Sequence, residues 1–115
     1  MKVSAWHSNY DYMREAFTSK DEIPKVELGV THGLLPVSFE IDEEDVKYAQ
    51  NRAFEFFNWV HEDFIAPDAV NQFAREFSSH ASMSVGDLVQ VGDTFWYCAS
   101  IGWEQLSLNN EEVIA

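Results

Sequence analysis

One amphipathic helix constrains the fold of this chain more than any other feature. Between residues 43 and 62, apolar side chains recur at steps of three and four: Val46, Ala49, Ala53, Phe56, Phe57 and Val60. This spacing places them on one stripe of an α-helix. Asp42 can serve as the N-cap, and the carboxylates after it suit the positive end of the helix dipole. The acidic run at 40–45 is thereby explained as a helix start, and the stripe requires a second layer to cover it.

The other segments predict strands and a second helix. Pro67 and Asp68 open a helix that ends near residue 77. Runs typical of strands lie at 2–8, 25–31, 34–41, 85–91, 94–100 and 103–108, and Gly92-Asp93 is a turn between two of them. Pro36 demotes the run at 34–41 to an edge strand or an irregular one. A short helix near 12–17 and a loose tail at 109–115 complete the pattern. We expect an α+β fold: an antiparallel sheet with two packed helices (about 43–62 and 67–77) and a C-terminal β-meander.

Length and composition indicate one domain over residues 1–115. The chain is 46% hydrophobic, enough for a buried core, and no run approaches the ~20 apolar residues that span a bilayer. Its first residues lack the apolar stretch of a signal peptide, and its single cysteine, Cys98, cannot form an internal disulfide. We therefore expect a cytoplasmic protein.

The charge is strongly and unevenly negative. Twenty acidic and seven basic side chains give a net charge of −13, and residues 77–115 contain no lysine or arginine. Proteins that grip phosphates need clustered cations, so we expect neither direct nucleic-acid binding nor attachment to an anionic membrane. Two interpretations of the acidic excess stay open: it confers solubility, or it forms a surface that engages a basic partner.

Signals for catalysis or metal binding are weak. His61-Glu62 begins a zinc-protease motif, but Ile65 stands where the second histidine is needed. The four histidines are scattered, and Cys98 lies in an apolar strand with no cations to activate its thiol. We expect no metal, no cofactor and no catalytic residue, although carboxylates are too abundant for the sequence to exclude a catalytic pair.

The outer side of the long helix is the best candidate for a binding surface. At ~100° per residue its carboxylates fall opposite the apolar stripe, with two aromatic side chains at the same edge. Such aromatics carry much of the energy of protein interfaces. Alternatively, the sheet or the tail covers this side and buries both rings. We name the set the acidic helix surface: Asp42, Glu43, Glu44, Tyr48, Glu55, Trp59 and Glu62.

The C-terminal third carries the most specific string. Ser82-Met83-Ser84-Val85-Gly86-Asp87 leads into a hairpin and ends on Gly102-Trp103. It resembles a segment of small uncharacterised proteins from bacteriophages and other mobile elements. The opening His7-Ser8-Asn9-Tyr10-Asp11 is similar to the start of such proteins, and together the two segments extend the likeness over about half the chain. The resemblance implies a genomic context and no mechanism.

Three functions follow, in order of preference. The first is a non-enzymatic protein of phage type that binds a host protein through the acidic helix surface. Its partner would be a nucleic-acid-handling or defence enzyme, which the carboxylates inhibit by standing where phosphates lie. The second is a self-associating or structural protein, a homodimer or minor particle component, with the aromatic hairpin Phe95 to Trp103 as its interface. The third is a small enzyme of unknown class.

Overall fold

The described part of the chain forms three helices and seven strands. The computed structural model describes residues 1–19, 22–33, 35–42, 48–58, 67–76, 83–109 and 112–114, and every structural statement below concerns these residues. The helices are α1 (Tyr10–Thr18), α2 (Ala49–Asn58) and α3 (Asp68–Glu76). The strands are β1 (Lys2–Trp6), β2 (Val26–Glu27), β3 (Val37–Glu40), β4 (Leu88–Val91), β5 (Thr94–Cys98), β6 (Trp103–Asn109) and β7 (Glu112–Ile114).

The strands form one sheet in the order β2-β7-β6-β5-β4-β1-β3, and neighbouring strands are antiparallel. The consecutive neighbours β4, β5 and β6 are the predicted C-terminal meander, with its first turn at Gly92-Asp93. Strand β3 lies at one edge, as the proline before it predicts. The predicted α+β class is confirmed.

Helices cover both faces of the sheet, because apolar side chains alternate along its strands toward two separate cores. On one face, Val3 and Ala5 of β1 pack with Val89 of β4 beneath α2 and α3. On the other, Leu88 of β4 packs with Phe95 and with side chains of α1. Adjacent residues of β4 thus point into different cores, so the sheet lies between two helical layers.

The long predicted helix is confirmed where the structure describes it. In α2, Ala49 and Ala53 are fully buried, and Phe56 and Phe57 pack against the same core at the edge of the stripe. The predicted extensions over 43–47 and 59–62 lie outside the described residues, as does the last residue of the second helix, which is described as α3 over Asp68–Glu76. The N-cap role of Asp42 stays a prediction.

Helix α1 is longer than predicted because its N-cap lies earlier in the chain. The Asn9 side chain accepts a hydrogen bond from the backbone N–H of Tyr12 at 2.8 Å, and its amide donates to the Val30 carbonyl oxygen at 3.0 Å. Tyr12 and Ala16 are the buried residues of the helix. Among the described helices, none is long and apolar enough to cross a membrane.

Two strands are markedly shorter than predicted, and one strand was not predicted. The run at 25–31 is a strand only at Val26–Glu27, because Gly29 adopts a positive φ of 84° and the Thr31 N–H turns back to the Glu27 carbonyl oxygen at 2.9 Å. The strand predicted from residue 85 begins at Leu88, after a turn. The tail predicted to be loose contains β7, which pairs with both β6 and β2.

Candidate functional site

The acidic helix surface is described at three of its seven residues. Asp42 is exposed at the end of the β3 segment, Tyr48 precedes α2, and Glu55 lies within α2. Glu43, Glu44, Trp59 and Glu62 lie outside the described residues. The structure therefore bears on one carboxylate before the helix, one aromatic ring at its start and one carboxylate within it.

Tyr48 immediately precedes α2 and Glu55 lies within it, and helical spacing predicts that both side chains point to the same side. They are seven residues apart, two helical turns or about 10 Å along the axis. Tyr48 is 50% exposed, and it also takes part in an interaction within the molecule. Glu55 is half-buried and accepts a hydrogen bond at 3.2 Å from the Arg52 guanidinium on the same face. The described part of this surface therefore has a half-exposed aromatic ring and, about 10 Å away along the helix axis, a carboxylate that is already paired with Arg52.

One side chain of β6, Trp103, contacts a flank of α2. The indole N–H of Trp103 donates to the Asn51 side-chain oxygen at 3.0 Å, and Phe54 meets the Trp103 ring edge-on at 6.5 Å between centroids. Asn51 itself stays exposed, and Tyr48 is half-exposed, so the sheet does not bury the outer side of the helix at these two residues. Trp59, the other ring of that alternative, lies outside the described residues.

Two rings of the aromatic hairpin that was proposed as a self-association interface face inward. Phe95 and Tyr97 of β5 are 2% and 4% exposed and belong to the core beneath α1. The Trp103 side chain contacts Asn51 and Phe54 of α2. The hairpin exposes one large apolar side chain, Ile101, in the turn between β5 and β6.

A buried carboxylate lies where α1, β1 and β4 meet. It is not among the site residues that the sequence predicts. Asp87 is 2% exposed. Its Oδ1 accepts from the Ser8 backbone N–H at 2.8 Å and from the Ser8 hydroxyl at 3.0 Å, and its Oδ2 accepts from the Ser84 N–H at 3.0 Å. Burial raises the pKa of the Asp87 carboxyl, and the nearby His7 charge and these hydrogen bonds oppose that rise. Asp87 therefore ties the end of β1 to the turn that begins β4.

His32 is a second buried polar group beside the same turn. Its Nε2 lies 2.7 Å from the Gly86 carbonyl oxygen, and its Nδ1 lies 2.9 Å from the Thr31 hydroxyl. Because a carbonyl oxygen can only accept, the neutral ring carries its proton on Nε2. Burial lowers the pKa of His32 to about 4, against the opposing effect of the Gly86 hydrogen bond. His32 is thus a neutral structural histidine at physiological pH.

Two further titratable groups near Asp87 and His32, namely His7 and Cys98, also make structural contacts. His7 stacks on Phe73 at 4.6 Å between centroids and meets Phe57 edge-on at 4.8 Å, so it joins α2 to α3. Cys98 is buried, as the sequence predicts, and burial raises the pKa of its thiol to about 11. A thiol with that pKa is protonated at neutral pH and is a poor nucleophile. The contacts of Asp87 and His7 are therefore structural: they join the end of β1 to the turn before β4, and α2 to α3.

The turn before β4 requires glycine at position 86. Gly86 adopts a φ of 98°, and a Cβ built there would lie 3.2 Å from the Ala16 Cβ and 3.2 Å from the Tyr12 ring. We expect Gly86→Ala to lower the free energy of unfolding by about 3 kcal/mol, because it adds backbone strain and overpacks the contact with α1. Urea denaturation followed by circular dichroism measures this loss.

Gly92→Ala is the matched control for that substitution. Gly92 also has a positive φ, 61°, but nothing lies within 4 Å of its built Cβ, so only the backbone cost of about 1 kcal/mol applies. Equal losses in the two variants would show that α1 does not pack closely on the turn at residue 86.

Comparisons with known proteins give no further guide to the site. No family model, no curated protein and no solved structure matches this chain. Within the described ranges, no group of three His, Cys, Asp or Glu side chains is arranged to hold a metal ion.

Proposed function

We propose that this chain is a non-enzymatic, phage-type binding protein of the host cytoplasm whose acidic helix surface engages a basic surface on a host protein. The half-exposed Tyr48, at the start of the helix whose outer side is predicted to be acidic, carries the proposal. An aromatic ring supplies apolar contact area at the centre of an interface, and surrounding charges supply steering and specificity.

The distribution of charge supports a basic partner. Eight acidic side chains in the described ranges are exposed: Asp11, Glu15, Glu22, Glu40, Asp42, Asp68, Asp93 and Glu104. Two of the described cations, Lys25 and Arg52, pair with Glu27 and Glu55. With a net charge of −13, the surface attracts cationic partners and repels nucleic acid.

A host enzyme that handles nucleic acid fits this chemistry. Such an enzyme offers a groove lined by lysine and arginine, which recognises a row of phosphates. Carboxylates on one helix face can occupy the same cations. In this proposal the protein acts as an inhibitor by competing with nucleic acid, and it needs no catalytic group of its own.

The triple variant Glu44→Gln/Glu55→Gln/Glu62→Gln tests the proposal. We expect the tagged wild-type protein to retain a host protein from lysate at low salt and to release it at high salt. The triple variant should retain at least about tenfold less, because three desolvated charge pairs are lost from the interface. Quantitative mass spectrometry of the bound fraction measures the retention.

A charge-matched variant separates the surface from the net charge. Asp11→Asn/Glu15→Gln/Asp93→Asn removes the same three charges from exposed positions on α1 and on the β4–β5 turn. It should bind like the wild type. Undiminished binding by the first variant, or equal losses in both, would contradict the assignment to the acidic helix surface.

A further inference from the structure

Helix α1 presents two large aromatic rings to solvent on the side that points away from the sheet. Tyr10 is 62% exposed and Phe17 is 61% exposed, and their spacing of seven residues places the two side chains within ~20° of each other around the helix. Tyr12 and Ala16, on the opposite side of the helix, are buried in the core beneath it. The helix therefore has a packed inner side and a second, aromatic face that is open to water.

A single cation lies between the two rings. The Arg14 guanidinium is 5.7 Å from the centre of the Tyr10 ring and, within the described ranges, pairs with no carboxylate. Asp11 and Glu15 are exposed on the flank beside it, and within the same ranges neither pairs with a cation. The open face thus carries charges of both signs that are available to a partner.

The charges complement those of a second copy of this chain. Antiparallel pairing of two α1 helices about a two-fold axis at their middle sets Tyr10 of each copy against Phe17 of the other. The axis also brings like flanks together, so each Arg14 lies within two residues, about 3 Å along the helix, of Asp11 and Glu15 of the second copy. Two guanidinium groups then lie among four carboxylates. A basic surface, which suits the acidic helix surface, would instead repel Arg14.

We propose that the protein forms a symmetric dimer through the outer face of α1. Aromatic rings stack at both ends of the paired helices, and Arg14 forms ion pairs across the axis. A nine-residue helix gives an interface smaller than the ~800 Å² per partner of a stable complex, so the dimer is weak, with a Kd on the order of 100 µM. Because α1 and α2 lie on opposite faces of the sheet, pairing leaves the acidic helix surface free, and the two functions are independent.

The net charge of −13 determines how this dimer responds to salt. Repulsion between the two copies acts over long distances and is screened at ~150 mM salt, where the Debye length is ~8 Å, whereas ion pairs inside the interface are screened less. We therefore expect dimerisation to strengthen between ~20 and ~150 mM salt. Capture of a basic host protein should weaken over the same range, which distinguishes the two processes.

Sedimentation equilibrium of the whole chain between ~10 and ~500 µM at ~150 mM salt tests the proposal. Phe17→Ser should weaken the dimer by at least about tenfold, since an exposed ring loses its apolar contact with the second copy. Tyr48→Ser is the matched control. This half-exposed aromatic side chain precedes α2 on the other face of the sheet, so its loss should leave the Kd of the dimer unchanged.

Exchange of charges tests the pairing of the two helices. Arg14→Glu alone and Asp11→Lys/Glu15→Lys alone should each weaken the dimer by about fivefold or more, because the flank then carries charges of one sign. Mixed in equal amounts, the two variants should associate with each other about as tightly as the wild type does. The proposal is overturned if the wild type stays monomeric at ~500 µM, if Tyr48→Ser weakens association as much as Phe17→Ser, or if the mixture associates no better than either variant alone.

Discussion

Asp87→Asn should lower the free energy of unfolding by about 3 kcal/mol, a large part of the ~5–15 kcal/mol that stabilises a typical domain. The carboxylate accepts three hydrogen bonds, two from Ser8 and one from Ser84, at a site that is 2% exposed. An amide has one accepting oxygen. Its NH₂ group must therefore face at least one of these donors, which loses its partner while buried.

Urea denaturation monitored by circular dichroism measures this effect, and Asp93→Asn is its control. Asp93 is exposed in the β4–β5 turn, so the same chemical change there should alter stability by no more than about 0.5 kcal/mol. A loss below 1 kcal/mol for Asp87→Asn would mean that the joint between β1 and β4 does not depend on the carboxylate.

Acidification should destabilise the protein through His32, by up to about 3 kcal/mol at pH 4. Burial lowers the pKa of this histidine from 6.5 to about 4 in the folded chain, so the unfolded chain binds the proton more tightly. The contribution of His32 to the free energy of unfolding is therefore complete above pH 6.5 and is lost as the pH falls from 6.5 to 4. The raised pKa of Asp87 acts in the opposite direction, so the wild-type profile alone does not isolate His32.

Comparison with His32→Gln isolates the contribution of the histidine. The glutamine amide can still reach toward the Gly86 carbonyl oxygen but does not titrate, and both proteins retain Asp87. The variant should be less stable than the wild type at pH 7, and the difference should shrink toward pH 4. A difference in unfolding free energy that stays constant between pH 7 and pH 4 would contradict a buried, neutral His32.

Periodicity within short segments accounts for what the sequence predicted well. The stripe of α2 repeats every three to four residues, and the structure buries its central residues Ala49 and Ala53 completely. The β4–β5 hairpin has Gly92-Asp93 between two strand-like runs, and its turn lies there. Each of these signals is contained within about twenty residues, so no knowledge of the tertiary fold is needed.

The features that the sequence did not predict depend on partners far along the chain. Asp87 binds Ser8, 79 residues away, and His32 binds Gly86, 54 residues away. In the sequence, Gly86-Asp87 has the pattern of a turn, and nothing indicates that its carboxylate is buried. The terminal strand β7 was missed for the same reason, since its pairing with β2 brings together residues at 26–27 and 112–113.

The acidic helix surface depends both on short-range periodicity and on contacts with residues far along the chain. Helical geometry predicts that Tyr48 and Glu55 share a face, and in the structure Glu55 lies in α2 and Tyr48 immediately before it. Helical geometry could not predict that Trp103 of β6 contacts the helix at Asn51 and Phe54.

The most direct test of the proposed function is competition between nucleic acid and this protein for the host partner that it captures. We expect a duplex oligonucleotide to displace the partner from the immobilised wild-type protein, and we expect the affinity to fall steeply between ~50 and ~200 mM salt, as it does for phosphate contacts. Retention that neither oligonucleotide nor salt reduces would contradict an acidic surface that occupies a nucleic-acid site.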